Sequence, residues 1–354
     1  VRAASFHLAC LLLVLTSFSL ATFPGSNRAV AQELPWRVSP VPPPPPMPAV
    51  PFASGLPAWL HAHIGDGAGQ ISAVVLRRAR GLYLQKRREG KVSNPCYFAK
   101  DATRPAGTGR RFYVICEASR TFHAIPSGHG KGRALKRLPD FSNGTRCAKN
   151  FSNAEDSWLT TGGPYVTAEI RTTFRGYYRT SDGELRPLNR SFVQFDGTGE
   201  TANARPRAIG GHAAVIVRSV CRMKAPRSPH ADDDGYVRFG KLIDYSAGRS
   251  NGCTSWFPGD SDRIMALIEK RPTTLYIYPE SRDIVAVARA VKAGMPPRQA
   301  GLYWNTSCLG EIGAPNFWPR ETLEPVLLKL RKDQPKRRPQ SLPLCKGQYA
   351  RLGD

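Results

Sequence analysis

The chain is short of acid. Against 51 lysines and arginines it has 27 aspartates and glutamates, a formal charge of +24 at pH 7. Such a balance favours anionic partners by long-range attraction: nucleic acid, anionic envelope polymers or membrane headgroups. No Cys-x-x-Cys pair occurs, which argues against a zinc ribbon or a thioredoxin-type redox site. No internal repeat is evident, so a solenoid is not expected. Gly128-His129-Gly130-Lys131-Gly132 is not a Walker A loop, because Gly132 stands where Ser or Thr must follow the lysine. Asp232-Asp233-Asp234 lacks the alternating spacing of a calcium loop. A solvated loop is the plainer reading of that run, and neither a metal nor a cofactor is expected. The apolar stretch from Leu8 to Phe23 is short for a membrane span of about 20 residues.

What is present reads as a secretory leader followed by a soluble globular protein. Arg2 gives a positive start, and Ala29-Val30-Ala31 is a small-x-small cleavage site before Gln32. Residues 1–31 are therefore expected to be a signal peptide, with an uncleaved anchor as the alternative. Leu8-Ala9-Cys10 imitates a lipoprotein box, but the cysteine precedes the hydrophobic run and lipidation is rejected. Residues 32–57 form a proline-rich linker; Pro42 to Pro46 is an extended spacer that cannot be core. Residues 58–109 read as a basic N-terminal extension. Within it Ser72 to Leu84 suits an amphipathic helix or a strand, and its arginines suit a solvated face better than a polyanion site.

From Arg110 the pattern turns to β. Phe112–Cys116 and Thr121–Ile125 suggest a hairpin, and Tyr165–Phe174 and Ser191–Phe195 are strand candidates around an Asp182-Gly183 turn. Asp262–Lys270 reads as a helix and Thr273–Tyr278 as a closing strand. Past Pro279, Asp283–Lys292 and Glu321–Arg331 show helical spacing. The expected organisation is a catalytic domain over 110–280 and a helical C-terminal extension over 281–354, for which the sequence offers no function.

The chemistry concentrates in Gly248-Arg249-Ser250-Asn251-Gly252-Cys253. A cysteine directly after glycine, among small and polar residues, is placed for a substrate to reach. Backbone N–H groups of Gly252 and Cys253 are candidates to face a developing oxyanion. Upstream, His212 stands alone in the apolar run Ile209–Val217, and a thiol needs such a base to ionise at neutral pH. Each residue alone is more often structural; their contexts together favour chemistry. Without Cys10, seven cysteines remain, an odd number in an exported chain. One free thiol, Cys253, with up to three disulfides fits that count. Cys308 with Cys345 is the preferred pair, because both lie in the C-terminal block.

The Gly-Arg-Ser-x-Gly-Cys element, the histidine strand, Ser127–Gly132, and Asn150-Phe151-Ser152-Asn153 running on to Gly163–Thr167 occur in one order. In that order they resemble the L,D-transpeptidase catalytic domain, in its Arg-Ser-x-Gly-Cys branch, over roughly residues 110 to 280. The resemblance implies a mainly β, sandwich-like fold with a few short helices. It implies a cysteine acyltransferase of peptidoglycan stem peptides in the periplasm or cell envelope, with Cys253 as nucleophile and His212 as base. Gly252, Ser250 and Asn251 would shape the oxyanion loop, Arg249, His129 and Gly130 would meet substrate, and His129 is the reserve base. Two departures bear on substrate preference. His212 and Cys253 are 41 positions apart, with extra length at 219–240 that reads as an inserted loop, and Thr254 stands where this branch often has proline. An L,D-carboxypeptidase shares every residue named, and a non-catalytic envelope-binding protein keeps the fold. A secreted nucleic-acid binder explains the charge but neither the histidine nor the odd cysteine, so no nucleic acid is expected, and no stable oligomer.

Overall fold

The computed structural model describes residues 55–107, 109–136, 138–244, 249–333 and 341–346. The expected signal peptide, the linker up to Ser54 and Gly248 lie outside the described residues. After a single turn α1 (Ala58–His61), helix α2 (Ala73–Arg88) settles the ambiguity at 72–84 in favour of a helix. Ser72 caps it by accepting from the Val75 N–H, and Val75, Leu76, Ala79 and Tyr83 form its buried face.

Three strands follow: β1 (Cys96–Asp101), β2 (Arg110–Cys116) and β3 (Thr121–Pro126), then the short β4 (His129–Gly130) and β5 (Asn150–Ser152). Strands β6 (Gly163–Arg179) and β7 (Leu185–Gly197) form a long hairpin through the Asp182-Gly183 turn. Gly183 supplies the positive φ, 91°, that the turn requires. Next come β8 (Gly210–Ala213), β9 (Val215–Lys224), β10 (Tyr236–Asp244), β11 (Arg249–Ser250), β12 (Thr254–Trp256), helix α3 (Pro258–Ile268) and β13 (Thr274–Tyr278). Helices α4 (Ser281–Lys292) and α5 (Thr306–Ile312), strand β14 (Asn316–Trp318) and helix α6 (Arg320–Lys332) complete the chain.

The architecture is mainly β, around one mixed sheet. Its path runs β12-β8-β7-β6-β13-β1-β2-β3, with β10 and β9 joined through β6. Strand β6 changes neighbours along its 17 residues: Gly163–Val166 pair with β13, and Gly176–Arg179 pair with β10. Bulges at 167–170 and 172–174 accommodate that change. Every residue of β1 is buried, so both faces of the sheet are covered there. On one face Tyr97, Ala99, Tyr113, Ile115, Tyr276 and Tyr278 pack against α2. On the other Phe98, Phe112, Leu275 and Ile277 join Trp256, Ile284 and Val287. The strict alternation is the period-2 signature of a strand.

This packing corrects two expected boundaries. The segment 58–109 is no appended extension: β1 lies between β13 and β2 in the sheet, and α2 covers one face. Nor does the fold end at 280, because β14 pairs with β5 and α4 supplies core residues. The region 219–240, expected to be an inserted loop, is the β9–β10 hairpin, with a bulge at Phe239–Gly240 and the acidic run in the connection between the strands.

The disulfides differ from expectation as well. Cys308 pairs with Cys147 and Cys345 with Cys221, while Cys96 and Cys116 face each other across β1 and β2. The reason is local. The segment at Arg146 meets α5 through Glu311 and Ser307, whereas Pro343–Cys345 hydrogen-bonds to Arg222 of β9. The C-terminal block is thus cross-linked to the loop before β5 and to β9, and not to itself. Removing the Cys147–Cys308 bond, which spans 161 residues, by serine at both positions is expected to cost about 2–5 kcal/mol in urea unfolding. An unchanged midpoint would show that this bond does not constrain the chain.

Candidate active site

Three residues, Asn251 to Cys253, lie between two short parallel pairings. Arg249 and Ser250 of β11 sit opposite His129 and Gly130 of β4, so the two motifs expected to meet are neighbours in one ladder. Directly after Cys253, Thr254, Ser255 and Trp256 of β12 pair with Gly211, His212 and Ala213 of β8. Ser255 is opposite His212, and Cys253 is two residues before Ser255. Cys253 thus stands directly before β12, next to the strand that carries His212. Both open on the same cavity, of about 700 Å³.

Ser250 fixes the loop. Its Oγ donates to the Cys253 carbonyl at 2.6 Å and accepts the Gly252 N–H at 3.2 Å. This corrects one expectation, since the Gly252 N–H is engaged by Ser250 and is not directed at an oxyanion. Gly252 is required for another reason. Its φ is 109°, and a Cβ there would stand 2.9 Å from the Leu159 carbonyl oxygen. Asn251 is exposed at the cavity, and exposed Arg249 donates to the Asn143 carbonyl at 3.3 Å.

His129 and Gly130 are near the loop but do not face substrate. His129 is fully buried; Arg111 Nη2 donates to its Nδ1 at 2.7 Å, and its Nε2 donates to the Gly144 carbonyl at 3.0 Å. With both nitrogens engaged and its pKa pushed well below the usual range by burial and by Arg111, it is a neutral structural histidine, not a reserve base. The Gly130 N–H donates to Thr160 Oγ1, its carbonyl accepts from Asn143, and a Cβ would stand 2.5 Å from the Trp158 carbonyl oxygen. Its role is close packing.

Cys253 is the one free cysteine among the described residues and is 8% exposed. Its Sγ lies 3.4 Å from the Ala208 carbonyl. Burial pushes the thiol up; the Gly210 N–H and the charges of Arg207, Lys100 and Arg190 pull it down. His212 Nδ1 donates to the Ala213 carbonyl at 2.9 Å, which sets the tautomer and leaves Nε2 as the basic nitrogen. Burial, then Arg190, pushes its pKa down to about 4, so the imidazole is neutral at physiological pH.

The rest of the cavity was not legible in the sequence. Of the four described non-glycine residues with positive φ, three line it: Asp156 at 61°, Trp158 at 60° and Ala208 at 50°. Such strain is held only where surrounding contacts over-determine the backbone. Here Arg133 pairs with Asp156 at 3.1 Å, Lys131 and Arg133 lie over the Trp158 ring, and Arg207 donates to the Leu159 carbonyl at 2.8 Å. The only available sequence signal was the Arg205-Pro206-Arg207 run before the histidine strand. Helix α6 reaches the same wall: Arg331 pairs with Glu155 at 2.8 Å, and Glu324 accepts the Glu155 N–H at 2.7 Å.

Among the described residues, no carboxylate pairs with Lys131, Arg207 or Arg249, and all three line the cavity. Ile216 and Ile243, paired across β9 and β10 and 46% and 47% exposed, line the same cavity. The cleft joins cationic and aliphatic lining, with Glu155 and Asp156 also present, a fit for a substrate with a carboxylate and an apolar stem. No three His, Cys, Asp or Glu side chains converge as a metal site among the described residues. Comparison of the chain with protein-family models, curated proteins and solved structures gives no match.

An imidazole held neutral in the fold binds its proton only in the unfolded chain between about pH 6.5 and 4. The stability tied to His212 is therefore present above pH 6.5 and lost as pH falls to about 4. His129 acts in the same direction, so the comparison must be with His212→Gln. The variant is expected to lose about 3 kcal/mol less than wild type over that window. Parallel stability–pH curves would contradict the assignment.

Proposed function

We propose that the protein is a cysteine acyltransferase of the L,D-transpeptidase type, acting on peptidoglycan stem peptides outside the cytoplasm. The observation that carries this reading is the free Cys253 thiol, just before β12, and the neutral His212 imidazole of the adjacent parallel strand β8, both lining one cavity. The reading takes the mixed sheet as the β-sandwich of that family. Three disulfides among the described residues support export, since such bonds persist in oxidising compartments. Among the described residues no helix is long and apolar enough to cross a membrane.

In the first half-reaction His212 Nε2 takes the Cys253 proton, and the thiolate attacks the carbonyl carbon of the amide that joins the L-centre to the following D-residue. The tetrahedral intermediate collapses as the C–N bond breaks. The imidazolium returns its proton to the departing D-amine, and the acyl group stays on Sγ as a thioester. In the second half an amine attacks the thioester, loses its proton to His212, and releases the thiolate. Water in place of the amine gives L,D-carboxypeptidase activity from the same dyad, the second reading. Lys131, Arg207 and Arg249 are placed to hold the carboxylates of the peptide. Among the described residues Arg207 hydrogen-bonds to neutral oxygens of Thr161, Ser157 and Leu159 and to no carboxylate, so its charge is available to an anionic ligand.

A carbapenem probe tests the nucleophile by intact mass. Wild type is expected to gain one acyl adduct, Cys253→Ala none, and His212→Ala an adduct formed roughly 10²-fold or more slowly. Ser250→Ala is expected to be milder, because it loosens the loop and leaves both reacting groups. A full adduct on Cys253→Ala, or none on wild type, would favour a non-catalytic murein-binding protein.

A further inference from the structure

The β9–β10 hairpin connects the two halves of the dyad: β9 starts just after the histidine strand, and β10 runs back toward Arg249 and Cys253. At its base Ile216 pairs with Ile243, and both line the cavity. One step further out on the same face Arg218 pairs with Lys241. All four side chains are exposed, whereas Val217 between Ile216 and Arg218 is buried, as alternation along a strand requires. Lys241 also stands in register with Arg179 of β6, whose guanidinium donates to the Gly183 carbonyl. Among the described residues no carboxylate forms an ion pair with Arg218 or Lys241. On the neighbouring hairpin Glu184 is taken by Arg186, and Glu169 and Asp196 by Arg205. The acidic run at 232–234 lies in the far connection of the hairpin, roughly 20 Å along the strands. Side chains directly opposite each other in an antiparallel pair have Cβ atoms about 4.5–5.5 Å apart, and like charges there repel. An anion seated on both relieves that repulsion. The result is a two-by-two patch, aliphatic where it meets the cavity and doubly cationic beyond.

We propose that this patch is the acceptor subsite, holding the second peptide, the one that supplies the amine. Its carboxylates would lie on Arg218 and Lys241 and its apolar carbons on Ile216 and Ile243. The proposal rests on the acyltransferase reading, deepens it, and favours the transferase over the carboxypeptidase. Charge points to an anionic occupant, because the two cations have no partner of their own sign-complement in the fold. Spacing points to a peptide: the aliphatic and cationic steps are two strand residues apart, roughly 7 Å, the repeat of an extended chain. Continuity with the cavity puts one end of that chain beside Cys253 and His212. The donor's carboxylates have separate partners in Lys131, Arg207 and Arg249, which other segments supply. The step served is the second half-reaction. The acceptor nitrogen forms a bond to the thioester carbon, the C–S bond breaks, and the amine's proton passes to His212 and on to the thiolate.

The test uses the double variants Arg218→Glu/Lys241→Glu and Arg218→Gln/Lys241→Gln, which leave the dyad and the cavity cations in place; thermal melting checks folding. The donor is a stem tetrapeptide and the acceptor a stem tripeptide with a free side-chain amine, below saturation. Wild type is expected to divide the acyl group between cross-linked and hydrolysed product. The glutamate variant should keep the rate of hydrolysis and lose roughly tenfold in cross-linked product, the glutamine variant part of that. An acceptor with amidated carboxylates should react alike with all three proteins. An unchanged division, an equal loss of both products, or a wild type that only hydrolyses overturns the proposal. If wild type forms no acyl-enzyme, the acyltransferase reading fails, and binding decides the patch by itself. There the same tripeptide, fluorescently labelled at its N-terminus, is titrated with Cys253→Ala protein and followed by anisotropy. The glutamate changes are expected to weaken binding about tenfold, and amidation of the peptide to abolish that difference. Equal affinities overturn the proposal, as does displacement of the tripeptide by an equally charged single-stranded oligonucleotide at the same concentration, which marks a general polyanion surface.

Discussion

The pairing of β12 with β8 is the constraint on which the site depends. It is a parallel ladder of three residue pairs, and its register brings the residue before Thr254 next to the strand that carries His212. A slip of the register would move Cys253 along β8, away from its place in the cavity. Three features hold that register: Trp256 buried against Phe112, the Gly128 N–H donating to the Ser255 carbonyl, and the Ala214 N–H donating to the Trp256 carbonyl. The Ser250 hydroxyl then shapes the approach to Cys253, and Gly252 lets the loop pass close to Leu159.

Around this ladder the protein tolerates an unusual density of buried polar groups. Arg111, His129, Lys100 and Asp101 all have no exposed surface. Arg111, whose pKa burial pushes down to about 9, donates to the Ser127 and Arg104 carbonyls and to His129. A satisfied network of this kind specifies one arrangement, because losing any member strands the others without partners. It sits where β2, β4 and the Cys253 loop meet, so its effect is to make the loop rigid. The C-terminal block contributes at the opposite wall, where α6 braces the strained segment at Asp156 and Trp158 through Glu155.

Local pattern carried much of the fold. Helices α3, α4 and α6 fall within a few residues of their expected spans, and β6 and β7 contain theirs but run longer toward the Asp182-Gly183 turn, because spacing and turn residues agree with the tertiary packing. What local pattern could not carry was non-local. That β1 lies inside the sheet follows from its pairing with β13, 177 positions later in the chain. The disulfides follow from where α5 and Pro343 dock, which the positions of Cys308 and Cys345 do not encode. At the site, Cys253, His212, Ser250, Asn251 and Arg249 were legible because their motif is contiguous or their context unusual. His129 and Gly130 were found beside the loop but with packing roles, since spacing cannot distinguish a buried imidazole from an open one. Arg207, Trp158 and the Ile216–Ile243 shelf are brought in by three different elements, and no local signal marks them as a set.

The most direct test of the central claim uses a purified stem tetrapeptide ending in a D-residue as the only substrate. The account predicts that wild-type protein, quenched rapidly in acid and examined by mass spectrometry, carries the tripeptide acyl group on Cys253. One equivalent of the D-amino acid should be released with the burst. Release of the D-amino acid by protein in which Cys253 never carries the acyl group, or no release at all from folded protein with a free Cys253 thiol, would contradict it.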